Sequence, residues 1–182
     1  MKTQWRGSNR CHRRPPATTE MAANPRLAYR IARDLQDCKA YCDVRGEEFV
    51  EDAAESLRTF IATVPGPVDS PYAGKRFRVR CQLPAQYPMH SPSVVFLTPM
   101  WHPNIHPQDG AVCLNALNED WSSETRLTHV VEVFIPYLLQ YPNPSDPLND
   151  TAASEMKRNP EEYAAKVRAH VAKHGMEGLP GS

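Results

Sequence analysis

The sequence predicts an α+β fold, and three observations carry that expectation. A capped helical stripe opens the chain's patterned region, short proline-punctuated apolar segments fill its middle, and two further capped helical segments close it. A hydrophobic content of 41% in 182 residues suits one folded domain, whereas 18 prolines are about twice ordinary usage. One domain is expected over residues 24–175, between a disordered basic extension at 1–23 and a flexible tail at 176–182.

Asn24-Pro25 sets an N-cap before a proline at the first helical position, and Leu27, Ile31, Leu35, Cys38 and Cys42 follow at helical spacing. One amphipathic helix over 25–42 is the expectation. Cys38 and Cys42 stand four apart, as metal ligands do, but no His or second Cys pair accompanies them, so they read as core residues. Strands follow near 47–51, 56–64, 75–83 and 93–97, divided by Pro65-Gly66-Pro67, Ser70-Pro71, Pro84, Pro88 and Pro92. Their short connections imply a four-stranded antiparallel meander. In the third, Phe77, Val79, Cys81 and Leu83 alternate with Arg76, Arg78, Arg80 and Gln82, giving one buried and one solvent face. The arginine row reads as simple solvation of the outer face, with an acidic partner as the sharper alternative. After an irregular stretch from 98 to 126, Thr128 caps a helix carrying Val130, Val131, Phe134, Leu138 and Leu139, which Pro136 must kink or break. Asn149 caps a short helix to about Lys157, and Asn159-Pro160-Glu161-Glu162 starts a last one with Tyr163, Val167 and Val171.

Charge and composition exclude several function classes. Residues 1–20 carry five basic groups and only Glu20, so the balanced total hides a basic tail and a slightly acidic body. Such a body lacks the concentrated basic surface that binding to nucleic acid requires. No apolar run exceeds four residues, which excludes a spanning helix and the apolar block of a secretory signal; a cytoplasmic or nuclear protein without membrane contact is expected. The extension is Arg-rich like a transit peptide, but Pro15-Pro16 interrupts any amphipathic helix, and Met21 is itself a candidate start. Cys11, Cys38, Cys42, Cys81 and Cys113 are odd in number without paired spacing, hence free thiols.

Residues 98–126 are too long and too apolar for a spacer, and long ordered loops tend to be functional. Pro99, Pro103 and Pro107 stiffen the segment without hydrogen bonds, as a preorganised site requires. Cys113 is its one good nucleophile, and a thiol suits acyl carriage because thioesters react with amines and exchange with other thiols. Alone, a Val-Cys-Leu cysteine reads first as a small buried hydrophobe. Its neighbourhood changes that reading. His102-Pro103-Asn104 stands nine residues before Cys113-Leu114, and Trp121 and Tyr141-Pro142-Asn143-Pro144-Ser145-Asp146-Pro147-Leu148 follow. With Tyr72 and Gly74 before the third strand, and Tyr87-Pro88 and Ser91-Pro92 before the fourth, the chain resembles a ubiquitin-conjugating enzyme over residues 25 to about 174. The stretch Tyr141–Asn149 with Pro160-Glu161-Glu162-Tyr163 most resembles the H-type subclass, which ubiquitinates histones in vitro and serves CTLH-type ligases.

The resemblance implies the UBC fold and a ubiquitin-conjugating core at 24–175. It implies that Cys113 accepts ubiquitin as a thioester from the activating enzyme and releases it to a substrate lysine, usually beside a ring-type ligase. No cofactor or metal is implied, since the activating enzyme spends the ATP. Asn104 either donates its amide N–H to the oxyanion of aminolysis or pins the loop, and both readings stand. Asp146 matches the acidic gate that orients the amine; a turn-capping Asp before Pro147 is the plainer account. His102, with Pro103, braces the loop rather than acting as base, and the prolines defeat a metal pair of His102 with His106. Leu114 and Leu148 support the site, while Asn115 stands where most relatives carry Asp and weakens the acidity around the amine. Arg26 and Arg30 on the first helix, Met89, and Ser123 with Glu124 occupy partner-contact positions, although Ser-Glu departs from the common Pro-Ala pair. The competing readings are a non-catalytic ubiquitin-binding variant of the same fold and a carrier for another ubiquitin-like modifier.

Overall fold

A computed structural model of the protein describes residues 24–52, 58–113, 117 and 121–177. The expected basic extension, Cys11, Leu114, Asn115 and the end of the tail lie outside these residues. Helix α1 spans Pro25–Arg45. The Asn24 side chain accepts from the Leu27 N–H, Pro25 starts the first turn, and Ile31, Leu35, Cys38 and Cys42 are buried. The helix runs one turn past the apolar stripe because its stop signal is Gly46, in the left-handed region at φ 67°, whose N–H returns to the Asp43 and Cys42 carbonyls.

Four antiparallel strands follow in the expected order: β1 (Phe49–Glu51), β2 (Thr59–Pro65), β3 (Lys75–Gln82) and β4 (Ser93–Phe96). Register sets the buried face. Phe60 stands opposite Cys81 and Cys81 opposite Val94, while Ala62, Val79 and Phe96 form the next row. A one-residue slip would turn every one of these side chains outward. They join the buried side of α1 in a single core.

The outer face corrects the expectation of simple solvation. Glu47 and Glu48, just after α1, lie across the arginine row: Arg76 donates to Glu47 and to the Gly46 carbonyl, and Arg78 Nε lies 3.0 Å from Glu48. The Arg76 and Glu47 side chains are only 12% and 7% exposed, so their pair ties the end of α1 to β3. Sequence showed the charges but not which acids cross the sheet to meet them.

The helix expected from Thr128 has a π-helical turn, Val130–Phe134, that runs into α2 (Ile135–Gln140). Pro136 lacks an N–H, and its ring would strike the carbonyl four residues back in regular α geometry. Here Ile135 N–H reaches the Val130 carbonyl, five residues back, and this wider turn absorbs the misfit without breaking the helix. Helices α3 (Asp150–Arg158) and α4 (Pro160–His174) start at Asn149 and Asn159, each of whose side chains accepts from an N–H of the first turn. The tail expectation shifts, because β5 (Met176–Glu177) pairs with Lys75 and Arg76 at the start of β3.

Phe77 is fully buried and meets the Tyr72 ring edge-on at 6.0 Å. Phe77→Ala should destabilise the fold by about 3–5 kcal/mol, read as a lower denaturation midpoint with an unchanged denaturant slope.

Candidate active site

The 98–113 segment is irregular but anchored. Thr98 Oγ1 accepts from Arg78 N, and the Trp101 carbonyl accepts from the Tyr72 hydroxyl at 2.8 Å. Residues 105–112 are not simply irregular, as the sequence suggested: Ile105 bridges Val112, and Ala111 bridges Val95 on the free edge of β4. Gly110 turns this small hairpin at φ +73°, where a Cβ would meet the Phe96 carbonyl at 2.1 Å. Asp109-Gly110 between Ile105 and Val112 was the signal for it. The hairpin delivers Cys113 directly from a bridged pair.

His102 is wholly buried. Its Nδ1 accepts from the Asn104 N–H at 2.9 Å, so Nε2 carries the proton and donates to the Leu138 carbonyl on α2 at 2.9 Å. Both ring nitrogens are engaged, and burial pushes the imidazole pKa down to about 4. This neutral brace is unavailable as a base for Cys113.

Asn104, 4% exposed, is a clasp. Its Nδ2 donates to the Asn143 carbonyl at 2.7 Å and to the Asp146 carbonyl at 3.0 Å, and its Oδ1 accepts from Asn143 N at 2.8 Å. Both amide hydrogens are committed to the loop after α2. The buried Pro103 adds to the junction, since its carbonyl accepts from the N–H groups of Leu148 and Asn149 at 2.8 and 2.9 Å.

Cys113, Asn104, Asn143 and Asp146 line one open groove of about 900 Å³. Cys113 is half-buried and Asp146 exposed, so a thiol and a carboxylate share one open cleft. The opposite bank comes from α2 and the turn before it, with His129, Glu132, Val133, Tyr137 and Tyr141. Sequence reasoning assigned none of the first four, and Tyr141 entered only as the first residue of a motif, without a role at the groove. Their signal was that positions 132, 133 and 137 fall off the buried stripe of Val130, Phe134 and Leu138.

The expected partner positions divide. Arg26 and Glu124 are exposed, and Met89 is 70% exposed. Arg30 departs from the expectation of an exposed contact: its guanidinium is spent on Asp34 and on the Ser123 and Thr125 carbonyls, and Ser123 itself is half-buried.

Protonated His102 would turn an N–H toward the Asn104 N–H, so its depressed pKa has a consequence for stability. Its contribution is intact above the unfolded value of 6.5 and is lost as pH falls toward 4, where the loss levels off at about 3 kcal/mol. Denaturation between pH 7 and 4, with NMR titration of the ring, checks this; a midpoint near 6.5 contradicts it.

The ubiquitin-conjugating enzyme family model matches residues 30–171. The chain is 42% identical over 125 residues to ubiquitin-conjugating enzyme E2 5 of Arabidopsis thaliana, an alignment covering 69% of this chain and 68% of that one. It is 38% identical over 120 residues to the E2-24 kDa ubiquitin-conjugating enzyme of Saccharomyces cerevisiae, covering 66% of this chain and 55% of that one. The E2 domain of a Toxoplasma gondii ubiquitin conjugating enzyme superposes with a TM-score of 0.71 at 26% identity, covering 81% of this chain and 99% of that one. The helix, meander and helices are those of the UBC fold, and the chain belongs to the ubiquitin-conjugating enzyme family.

Proposed function

We propose that the protein is a ubiquitin carrier working by two acyl transfers at Cys113. The Cys113 thiolate attacks the thioester carbonyl on the activating enzyme, and that enzyme's sulfur leaves as thiolate. A substrate lysine amine then attacks the new thioester; the Cys113 sulfur leaves, the amide forms, and the amine proton passes to Asp146 or water. Neither transfer is a redox step or consumes ATP on this chain, so no cofactor is called for. The observation that carries the reading is thiol accessibility. Among the described residues, Cys38, Cys42 and Cys81 are buried, and burial raises all three thiols, Cys42 to about 11 and Cys81 to about 12, whereas Cys113 opens into the groove. A free nucleophile at that position also favours catalysis over a passive ubiquitin-binding role.

Asp146 orients and deprotonates the amine, and Asn104 acts first by holding Asp146 in place. An oxyanion role for Asn104 requires one of its two carbonyl bonds to open when the tetrahedral centre forms. Leu114, Asn115 and Leu148 keep the supporting part that the resemblance gives them, and Arg26, Met89, Ser123 and Glu124 supply the partner face. Ubiquitin, the activating enzyme and a ring-type ligase are the partners. The stretch Tyr141–Asn149 with Pro160-Glu161-Glu162-Tyr163 supports the H-type subclass and a CTLH-type ligase. Free thiols suit the reducing cytoplasm or nucleus, and no helix of the described residues is long and apolar enough to cross a membrane.

A charging assay with ATP, activating enzyme and a panel of modifiers tests the reading. Cys113→Ala should abolish a reductant-sensitive adduct; loading of a different modifier alone, or no adduct on native protein, would overturn ubiquitin carriage. Asp146→Asn should charge normally and discharge onto lysine about 10²-fold more slowly. Asn104→Ala should lose about 1–3 kcal/mol of stability and discharge slowly even where folded. Native-rate discharge by that folded variant counts against both of its jobs.

A further inference from the structure

Helix α1 and two loops remote from it in sequence share one buried carboxylate. Asp34 is 6% exposed. Its Oδ2 accepts from Arg30 Nε at 2.5 Å and from the Tyr87 hydroxyl. The rest of the Arg30 guanidinium reaches the second loop, where Nη1 donates to the Ser123 carbonyl at 3.1 Å and Nη2 to the Thr125 carbonyl at 3.0 Å. The loops are also joined directly: Trp121 Nε1 donates to the Pro88 carbonyl at 2.9 Å, and the Tyr87 and Trp121 rings lie 6.1 Å apart. A planar fork of donors is needed to serve one carboxylate and two carbonyls at once, which a lysine ammonium cannot do with the same reach. A carboxylate this far from water persists only when so paired.

The gripped backbones present exposed side chains. Met89 follows Pro88, and Glu124 lies between the two residues whose carbonyls Arg30 holds. We propose that Asp34, Arg30 and Tyr87 form a latch that fixes the Met89 loop and the Ser122–Glu124 loop as one docking face for the activating enzyme and the ligase. Arg30 and Tyr87 are positioning residues in it rather than contacts. The proposal rests on the docking role given to these loops above. Loops ordered beforehand lose little freedom when a partner arrives, so the latch acts on partner affinity and not on the chemistry at Cys113.

Two conservative variants test it. Arg30→Lys keeps a charge beside Asp34 but loses the loop carbonyls, and Tyr87→Phe removes one hydroxyl at a residue 2% exposed, out of any partner's reach. Amide hydrogen exchange is followed over 84–92, 121–126 and α4, and half-saturating concentrations are measured for the activating enzyme in charging and for a ring-type ligase in lysine discharge. Exchange in both loops should rise about tenfold in Arg30→Lys and about threefold in Tyr87→Phe with α4 unchanged, and half-saturation should rise by similar factors. Ligase-free discharge by Tyr87→Phe should stay within about twofold of native. Unchanged loop exchange overturns the latch; faster exchange with unchanged half-saturation overturns its part in docking. Parallel loss of α4 protection and ligase-free discharge overturns it too, as general loosening. A native protein that charges but gains nothing from ring-type ligases counts against the ligase reading above, and the charging titration then decides the latch alone.

Discussion

The carboxamide of Asn104 holds the groove together. Its oxygen and both its amide hydrogens bind the 143–146 loop, and its own N–H binds His102, so the segment after β4 and the segment after α2 are joined through one side chain. Pro103 reinforces the junction through its carbonyl alone. Breaking such bonds inside a partly buried junction costs more than their net worth, because the partners left behind lose both protein and water. The thiol and the carboxylate therefore keep a common frame although they come from distant parts of the chain.

That frame is electrically quiet. His102, the imidazole of the His-Pro-Asn motif, is neutral and fully engaged, and burial rather than a charged neighbour keeps it so. The strongly perturbed thiols are those of the core, where elevation by burial makes them inert. On the mechanism proposed above, chemistry at Cys113 draws on an acyl group already activated elsewhere, and Asp146 is the acid–base group the groove adds. An open groove of this kind leaves room for the bulky amine which that mechanism calls for.

The parts legible in sequence were those governed by local chemistry. Asn24, Asn149 and Asn159 announced helix starts, and alternation in 75–83 announced both the strand and its buried face. The resemblance brought out His102, Asn104, Cys113 and Asp146 together. What stayed hidden depends on long-range pairing. Glu47 meeting Arg76, Arg30 reaching the Ser123 carbonyl, and Met176 pairing with β3 join residues 29, 93 and 100 apart, and no local pattern encodes them. The far bank of the groove was missed for a different reason: its side chains are the exposed positions of a helix read chiefly for its core.

The wide turn ahead of Pro136 lets this helix hold one residue more than regular winding would. Successive α-helical residues are rotated by about 100°, and the underwound turn at 130–134 takes up about one such step. Deleting one residue there would restore ordinary winding with Tyr137 and Tyr141 still toward the cleft and Leu138 still toward His102, but it would drive the Pro136 ring against a carbonyl of the preceding turn. The same deletion after the turn finds no such slack and would swing whatever follows out of step with both structures.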